Sequence, residues 1–489
     1  MRTPTLQTRR LARNITWISL EEMLIRVIGL ATAIYLARVL TPAAYGALGL
    51  ALAIVGIFST LVQAGTGSYA TRITALNPAS VPGTYARVTG MRLTGAGVAI
   101  TFLLLLAPIL SRTFSFSAGL LILCSFLLLR PALAVFWAFR GLDRMHVNTV
   151  AGVAEKIIAF TGLVLLVKGQ GNDLLWVPVL EVVAALAMVW WLRMRLAQTY
   201  PGLSIAFRFK DWPEVSRESL PLGLAAFLGS VYLHGAILLL GWLDTPESAA
   251  DFLVAQKLML TMAILLQVIN SSAFPTASRL LSNDRSGALG LLSSLLRYYL
   301  VIIIPATLLL TLYANEVLAL FFGAAYSNSG PVLIVLLAAL PFLAISHSLT
   351  VLLRALPKPR AVLAGRIVST LTLFLLALIL IPRFGAAGAA AAVVASEAVG
   401  MVLLFFLVKL SIGAVPWNSN CFAPILAGVV TTLFFLATDS WPVYFGLPLA
   451  ALVYVLAVWM MKGVTADELK SLPHVLLSVL GREDQGKSP

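Results

Sequence analysis

Four basic residues stand inside long apolar stretches of the chain: Arg26, Arg130, Lys156 and Lys257. A cation at the centre of a bilayer costs roughly 2.5–3.5 kcal/mol on insertion scales, so each needs water, a carboxylate or an anionic ligand. Arginine offers a planar fork of donors and lysine a point charge, and both suit phosphate oxygens. Four carboxylates share these stretches, Glu22, Glu155, Glu181 and Glu397. They could neutralise the cations, or carry a coupling proton or sodium ion. Glu22 and Arg26 are four apart and share a helix face. Glu155 and Lys156 are adjacent, about 100° apart around a helix, and so cannot face each other. For any single residue an internal ion pair is as good an account as a ligand contact. A set of cations spread along the chain fits a water-filled cavity better than scattered pairs.

The elements that must position these charges are membrane helices. Of 489 residues, 60% are hydrophobic and 11% charged, and the mean hydropathy is +0.96, which excludes a soluble multidomain protein. At about 20 residues per crossing, the sequence predicts an all-α polytopic fold of about fourteen transmembrane helices. They are expected near residues 14–36, 44–64, 90–110, 118–140, 148–167, 174–194, 219–241, 251–274, 294–314, 331–353, 363–382, 386–408, 421–438 and 442–461.

Charge asymmetry supports that division. With both termini cytoplasmic, 26 of the 34 Lys and Arg residues fall in cytoplasmic segments and only Arg38, Arg112, Lys168 and Arg383 outside, beside the four intramembrane cations. This is the positive-inside bias. It accounts for the formal charge of +14 without nucleic acid, which is not an expected partner; basic loops facing anionic lipid suffice. Glu21, Glu22 and Arg26 interrupt the first apolar stretch, so a cleavable signal sequence is not expected there.

The longest hydrophilic connection divides the chain into an N-terminal six-helix lobe (1–195), a cytoplasmic linker (196–218) and a C-terminal six-helix lobe (219–410). Two further helices occupy 411–462, and 463–489 forms a cytoplasmic tail. There Thr465 and Glu468 have capping-box spacing ahead of a stretch that fits either a short interfacial helix or a frayed tail after Pro473.

Other motifs carry little. Gly65-Thr66-Gly67-Ser68-Tyr69-Ala70 fits a loose dinucleotide fingerprint but lacks the preceding strand that chemistry requires. His146, His234, His347 and His474 are scattered, so neither a metal nor another cofactor is expected. Cys124 and Cys421 make no disulfide framework. No nucleophile motif, phosphate-binding loop or paired-carboxylate constellation is present, so no enzymatic activity is expected.

Three segments carry a family likeness. Ala37-Arg38-Val39-Leu40-Thr41-Pro42-Ala43-Ala44-Tyr45-Gly46 resembles a first outer loop of the form Ala-Arg-x-Leu-Gly-Pro-x-x-Tyr-Gly, with Thr41 in place of the usual glycine. Leu320-Phe321-Phe322-Gly323-Ala324-Ala325-Tyr326 resembles a Phe-Gly-x-x-Tyr segment before the tenth helix. Ile381-Pro382-Arg383-Phe384-Gly385-Ala386-Ala387-Gly388-Ala389-Ala390 resembles the turn between helices eleven and twelve. In this order the segments resemble the oligosaccharide (O-antigen and polysaccharide) flippases of the polysaccharide transporter family, relatives of multidrug exporters and of the lipid II flippase.

The resemblance implies two six-helix lobes in a V, two extra C-terminal helices, and alternating access to the two faces of a bacterial inner membrane. It implies a polyprenyl-pyrophosphate-linked oligosaccharide as substrate, moved to the outer leaflet for cell-surface polysaccharide assembly. Membrane lipids, a polysaccharide polymerase and a chain-length regulator are the implied partners. Arg26 and Lys257 lie on the first and eighth helices, where the lipid II flippase carries cavity cations, and with Lys156 and Arg130 they form the expected substrate-binding set. The alternative is a proton- or sodium-coupled multidrug antiporter of the same superfamily, in which Glu22, Glu155, Glu181 and Glu397 would carry the coupling ion.

Overall fold

The computed structural model describes residues 6–171, 173–207, 209–283, 285–356, 359–413, 421–437 and 443–461, and among these there is no strand. The tail 463–489, with its candidate interfacial helix, lies outside the described residues. So does most of the loop before residue 421.

The first helices are α1 (Leu6–Val39), α2 (Pro42–Gln63), α3 (Thr66–Leu76) and α4 (Val81–Thr113). A broken crossing follows, made of α5 (Ala118–Ser125), α6 (Leu129–Leu133) and α7 (Phe136–Gly141). Then come α8 (Met145–Leu166), α9 (Trp176–Thr199), α10 (Trp212–Leu243) and α11 (Pro246–Asn283). The remainder comprises α12 (Arg285–Leu312), α13 (Ala314–Phe322), α14 (Gly330–Leu337), α15 (Ala339–Ala355), α16 (Pro359–Ile412), α17 (Phe422–Ala437) and α18 (Val443–Met460).

Every predicted span falls on one of these helices or runs of helices to within a few residues. Among the described residues nine helices are long and apolar enough to cross a bilayer, and two shorter apolar ones lie at 422–435 and 448–460. The helices α1 and α11 carry Arg26 and Lys257. The helix α16 holds two predicted spans, because its backbone breaks at Gly385, with φ 54° and ψ −131°. A Cβ at Gly365 would stand 2.9 Å from Leu404 Cδ2, so the two halves run back along each other as a hairpin.

Packing divides the chain into two compact units, residues 1–254 with 377–386, and residues 255–376 with 387–489. This differs from a division at the hydrophilic linker, because α10 packs with the first unit, on α2 and α3. Small residues make that approach possible. A Cβ at Gly223 would lie 2.6 Å from the carbonyl carbon of Ala64, and one at Gly241 2.7 Å from Leu50 Cδ1. Ser230 on α10 donates to the Gly56 carbonyl at 3.3 Å. The linker itself is short, since α10 begins at Trp212 with Pro213 in its first turn, where the missing N–H costs nothing. It is pinned by the Ala206 amide, which donates to the Ala86 carbonyl at 3.2 Å.

Within the first unit, α1 packs on α8, α8 on α9, and α4 on α5 and α6. Tyr69, Tyr85, Trp137, Phe139 and Leu192 belong to its buried core. In the second unit α12 is the hub, packed against α15, α17 and α18.

Candidate functional site

The helix α8 distributes two adjacent charges to two different neighbours. Glu155, 1% exposed, accepts from both Arg130 Nε at 2.6 Å and Arg130 Nη2 at 3.0 Å on α6. Lys156 Nζ donates to Glu181 Oε2 on α9 at 2.9 Å. The angular offset of consecutive helical residues requires such divergence. The Arg130 guanidinium also lies 5.8 Å from the centre of the Phe136 ring. Two of the four expected substrate cations are therefore ion-paired inside the first unit, together with two of the four expected coupling carboxylates.

The other candidates stand differently. Glu22 and Arg26 on α1 are half-buried. Lys257 is exposed on α11, although Val254, Ala255, Leu258 and Met259 around it are all 4% exposed or less. Glu397 is buried and faces Arg366 across the α16 hairpin at 3.8 Å.

A residue passed over in the sequence is Glu21. It faces α8, where a Cβ at Gly152 would stand 3.4 Å from its Oε1, and it lies within electrostatic reach of Arg140 and Arg130. Its neighbour Glu22 has the spacing that a local pattern can recognise; Glu21 has only its long-range partners.

A second polar region gathers where α2 ends, α7 ends and α10 begins. Ala64 and Gly65 turn the chain through left-handed conformations, φ 42° and 74°, and α3 starts directly after them without a side-chain cap. Gly65 suits this corner because glycine adopts positive φ at little cost. The segment that mimics a dinucleotide fingerprint thus forms a helix-to-helix corner. A cavity of about 510 Å³ opens on it, lined by residues that include Gln63, Gly67, Ser68, Thr71, Arg72 and Arg140. Arg72 pairs with Glu218 on α10.

Arg92 completes this region and corrects a sequence expectation. Placed by charge bias among the cytoplasmic loop residues, it is 5% exposed within α4. Its Nε donates to Thr66 Oγ1 at 2.8 Å, and its Nη1 reaches the carbonyls of Pro131 and Ala134 at 3.4 and 3.5 Å. Those carbonyls lie at the break between α6 and α7, where Ala134 is extended with ψ 132°. A broken membrane helix is tolerated when its freed backbone groups find partners, and Arg92 supplies them. Arg297, also assigned to a loop by charge bias, is likewise 5% exposed, on α12.

Among the described residues no cluster of His, Cys, Asp and Glu could hold a metal ion. The arrangement offers fixed charges on apolar helices and a cavity lined in part by Arg72 and Arg140.

Comparison with known proteins gives the same architecture. The family model described as "Polysaccharide biosynthesis protein" matches residues 11–281. Among solved structures, the lipid II flippase MurJ in an inward closed conformation superposes with a TM-score of 0.71 at 16% identity, covering 95% of this chain and 99% of that one. An inward-facing multidrug resistance MATE family transporter of the MOP superfamily gives a TM-score of 0.67 at 15% identity, covering 82% and 98%. A MOP superfamily transporter from Pyrococcus furiosus gives 0.57 at 15% identity, covering 83% and 96%. At these identities the likeness establishes the fold. No curated protein matches the chain.

Proposed function

The chain belongs to the polysaccharide biosynthesis protein family, and from that premise we propose that it is a flippase, without enzymatic activity, for a polyprenyl-pyrophosphate-linked oligosaccharide. It moves this lipid from the cytoplasmic to the outer leaflet of a bacterial inner membrane by alternating access, supplying cell-surface polysaccharide assembly.

The observation that carries the reading is Lys257. It lies eleven residues into α11 from Pro246, about 16 Å along the axis, which is near mid-depth of a hydrocarbon core about 30 Å thick. It is exposed there while its neighbours are buried. A lysine facing lipid at that depth is costly, so water, a polar protein group or an anionic ligand must meet its charge. Arg26, thirteen residues from the Val39 end of α1, lies at a comparable depth along its own helix, about 20 Å. In this reading each offers a positive charge to the crossing diphosphate. Arg130 and Lys156, held by Glu155 and Glu181, shape the first unit and contribute less to binding.

The test is replacement of Arg26 or Lys257 by alanine in cells that display the glycan. At unchanged protein level, either variant should lose surface glycan and accumulate its lipid-linked precursor; normal display from both would refute the reading. Ion coupling, where it operates, falls to Glu22, because Glu155, Glu181 and Glu397 each hold a cation close by.

A further inference from the structure

We propose that the cavity at the α2–α3 corner is a second, entry-side anion site, which receives the diphosphate of the lipid-linked glycan before it reaches the mid-membrane cations. This rests on the reading of the chain as a flippase for such a lipid.

Three arginines from three helices converge there. Arg72 on α3 and Arg140 on α7 line the cavity directly. Arg92 approaches from behind: among the described residues its Nη2 makes no hydrogen bond, and it points at Gly67 of the lining, where a Cβ would stand 3.3 Å from it. No carboxylate closes a salt bridge to Arg92 among the described residues, so a side chain 95% buried keeps a free donor beside the cavity wall. Forked guanidinium donors are the groups that bind phosphate in two-point contact.

Neutral donors complete the set. Ser68 and Gln63 line the same space, the Gln63 amide also donating to the Ser59 carbonyl at 3.4 Å. The cavity's volume of about 510 Å³ falls in the range of about 300–1,000 Å³ usual for small-molecule sites, enough for a diphosphate and an attached sugar. None of the lining residues is acidic; Glu218 on α10 is occupied by Arg72, and Glu21 lies within electrostatic reach of Arg140. Glu218 is therefore a built-in competitor that must release Arg72 when the anion enters.

The site lies at the end of the first unit that charge bias assigns to the cytoplasm, where α10 begins and α7 ends. A lipid-linked glycan made on that face would meet it first. An anionic phospholipid headgroup offers similar chemistry, and the experiment separates the two.

The full-length protein in nanodiscs of zwitterionic lipid is titrated with inorganic pyrophosphate, which is then displaced by polyprenyl diphosphate or by phosphatidylglycerol. The proposal predicts saturable pyrophosphate binding that is weakened roughly tenfold by Arg140→Gln. Glu218→Gln, which removes the competitor, should tighten it several-fold. Polyprenyl diphosphate should displace the probe at lower concentration than phosphatidylglycerol. Absence of pyrophosphate binding, indifference to both substitutions, or stronger displacement by phosphatidylglycerol would overturn the proposal. If Lys257→Ala abolishes pyrophosphate binding while Arg140→Gln preserves it, the entry site is refuted and the flippase reading stands. If Arg140→Gln weakens binding while Lys257→Ala and Arg26→Ala both leave glycan display intact, the entry site stands and the mid-membrane mechanism fails.

Discussion

Arg130 holds Glu155 with two nitrogens, at 2.6 and 3.0 Å, linking a broken helix to the centre of α8. Glu155 is almost fully buried, and removing one partner of a buried pair strands the other charge. Such losses cost about 3–5 kcal/mol, whereas replacing both partners by apolar residues is often neutral. Glu155→Ala should therefore unfold at a markedly lower temperature in detergent, and the double variant Arg130→Met with Glu155→Leu should recover most of the loss. A double variant no more stable than the single one would show that the pair does not hold the helices together.

Lys156 and Glu181 form a more exposed pair, with side chains 27% and 21% exposed. Their substitution should show coupling: Lys156→Ala and Glu181→Ala each lower stability by roughly 1 kcal/mol, and the double variant by little more than either. Thermal unfolding of the three variants measures this. Strict additivity would mean that the contact contributes nothing.

The hairpin in α16 turns on Gly385, whose φ of 54° and ψ of −131° lie where side chains are strained; a Cβ there would also stand 2.8 Å from Asp244 Oδ2. Gly385→Ala should cost about 1–3 kcal/mol, read as a lower unfolding temperature. An unchanged transition would argue that the turn relaxes freely.

These relationships show what the sequence makes legible. Apolar run length places the spans, since crossing a bilayer needs a minimum number of residues whatever the packing. Pro382 and Gly385 mark the hairpin because their backbone limits are local. The partners of Arg130 and Lys156 are not legible in this way. Each lies 25 residues away on another helix, and which faces meet depends on the rotation of both helices, which no local pattern encodes. Arg92 misleads for a related reason. Its position near the end of a span reads as a loop cation, yet the broken helix opposite creates carbonyls that need a donor. The helix α3, short and mixed in character, gives no apolar run to detect.

The antiporter alternative separates from the flippase on charge sign. For an oligosaccharide flippase, Glu22→Gln and Glu397→Gln should reduce surface glycan less than Lys257→Ala does, and deleting the gene should leave susceptibility to cationic drugs unchanged. Heightened drug susceptibility together with full activity of Lys257→Ala would favour the antiporter.

The most direct measurement is translocation itself. Purified protein is reconstituted into liposomes holding a labelled polyprenyl-diphosphate oligosaccharide, and the label exposed on each leaflet is followed over time. The wild-type chain should equilibrate the lipid across the bilayer, and Lys257→Ala and Arg26→Ala should each slow this at least tenfold at equal reconstitution, about 1.4 kcal/mol or more in barrier. Wild-type rates from both variants, or no translocation by the wild-type chain above protein-free liposomes, would contradict the account.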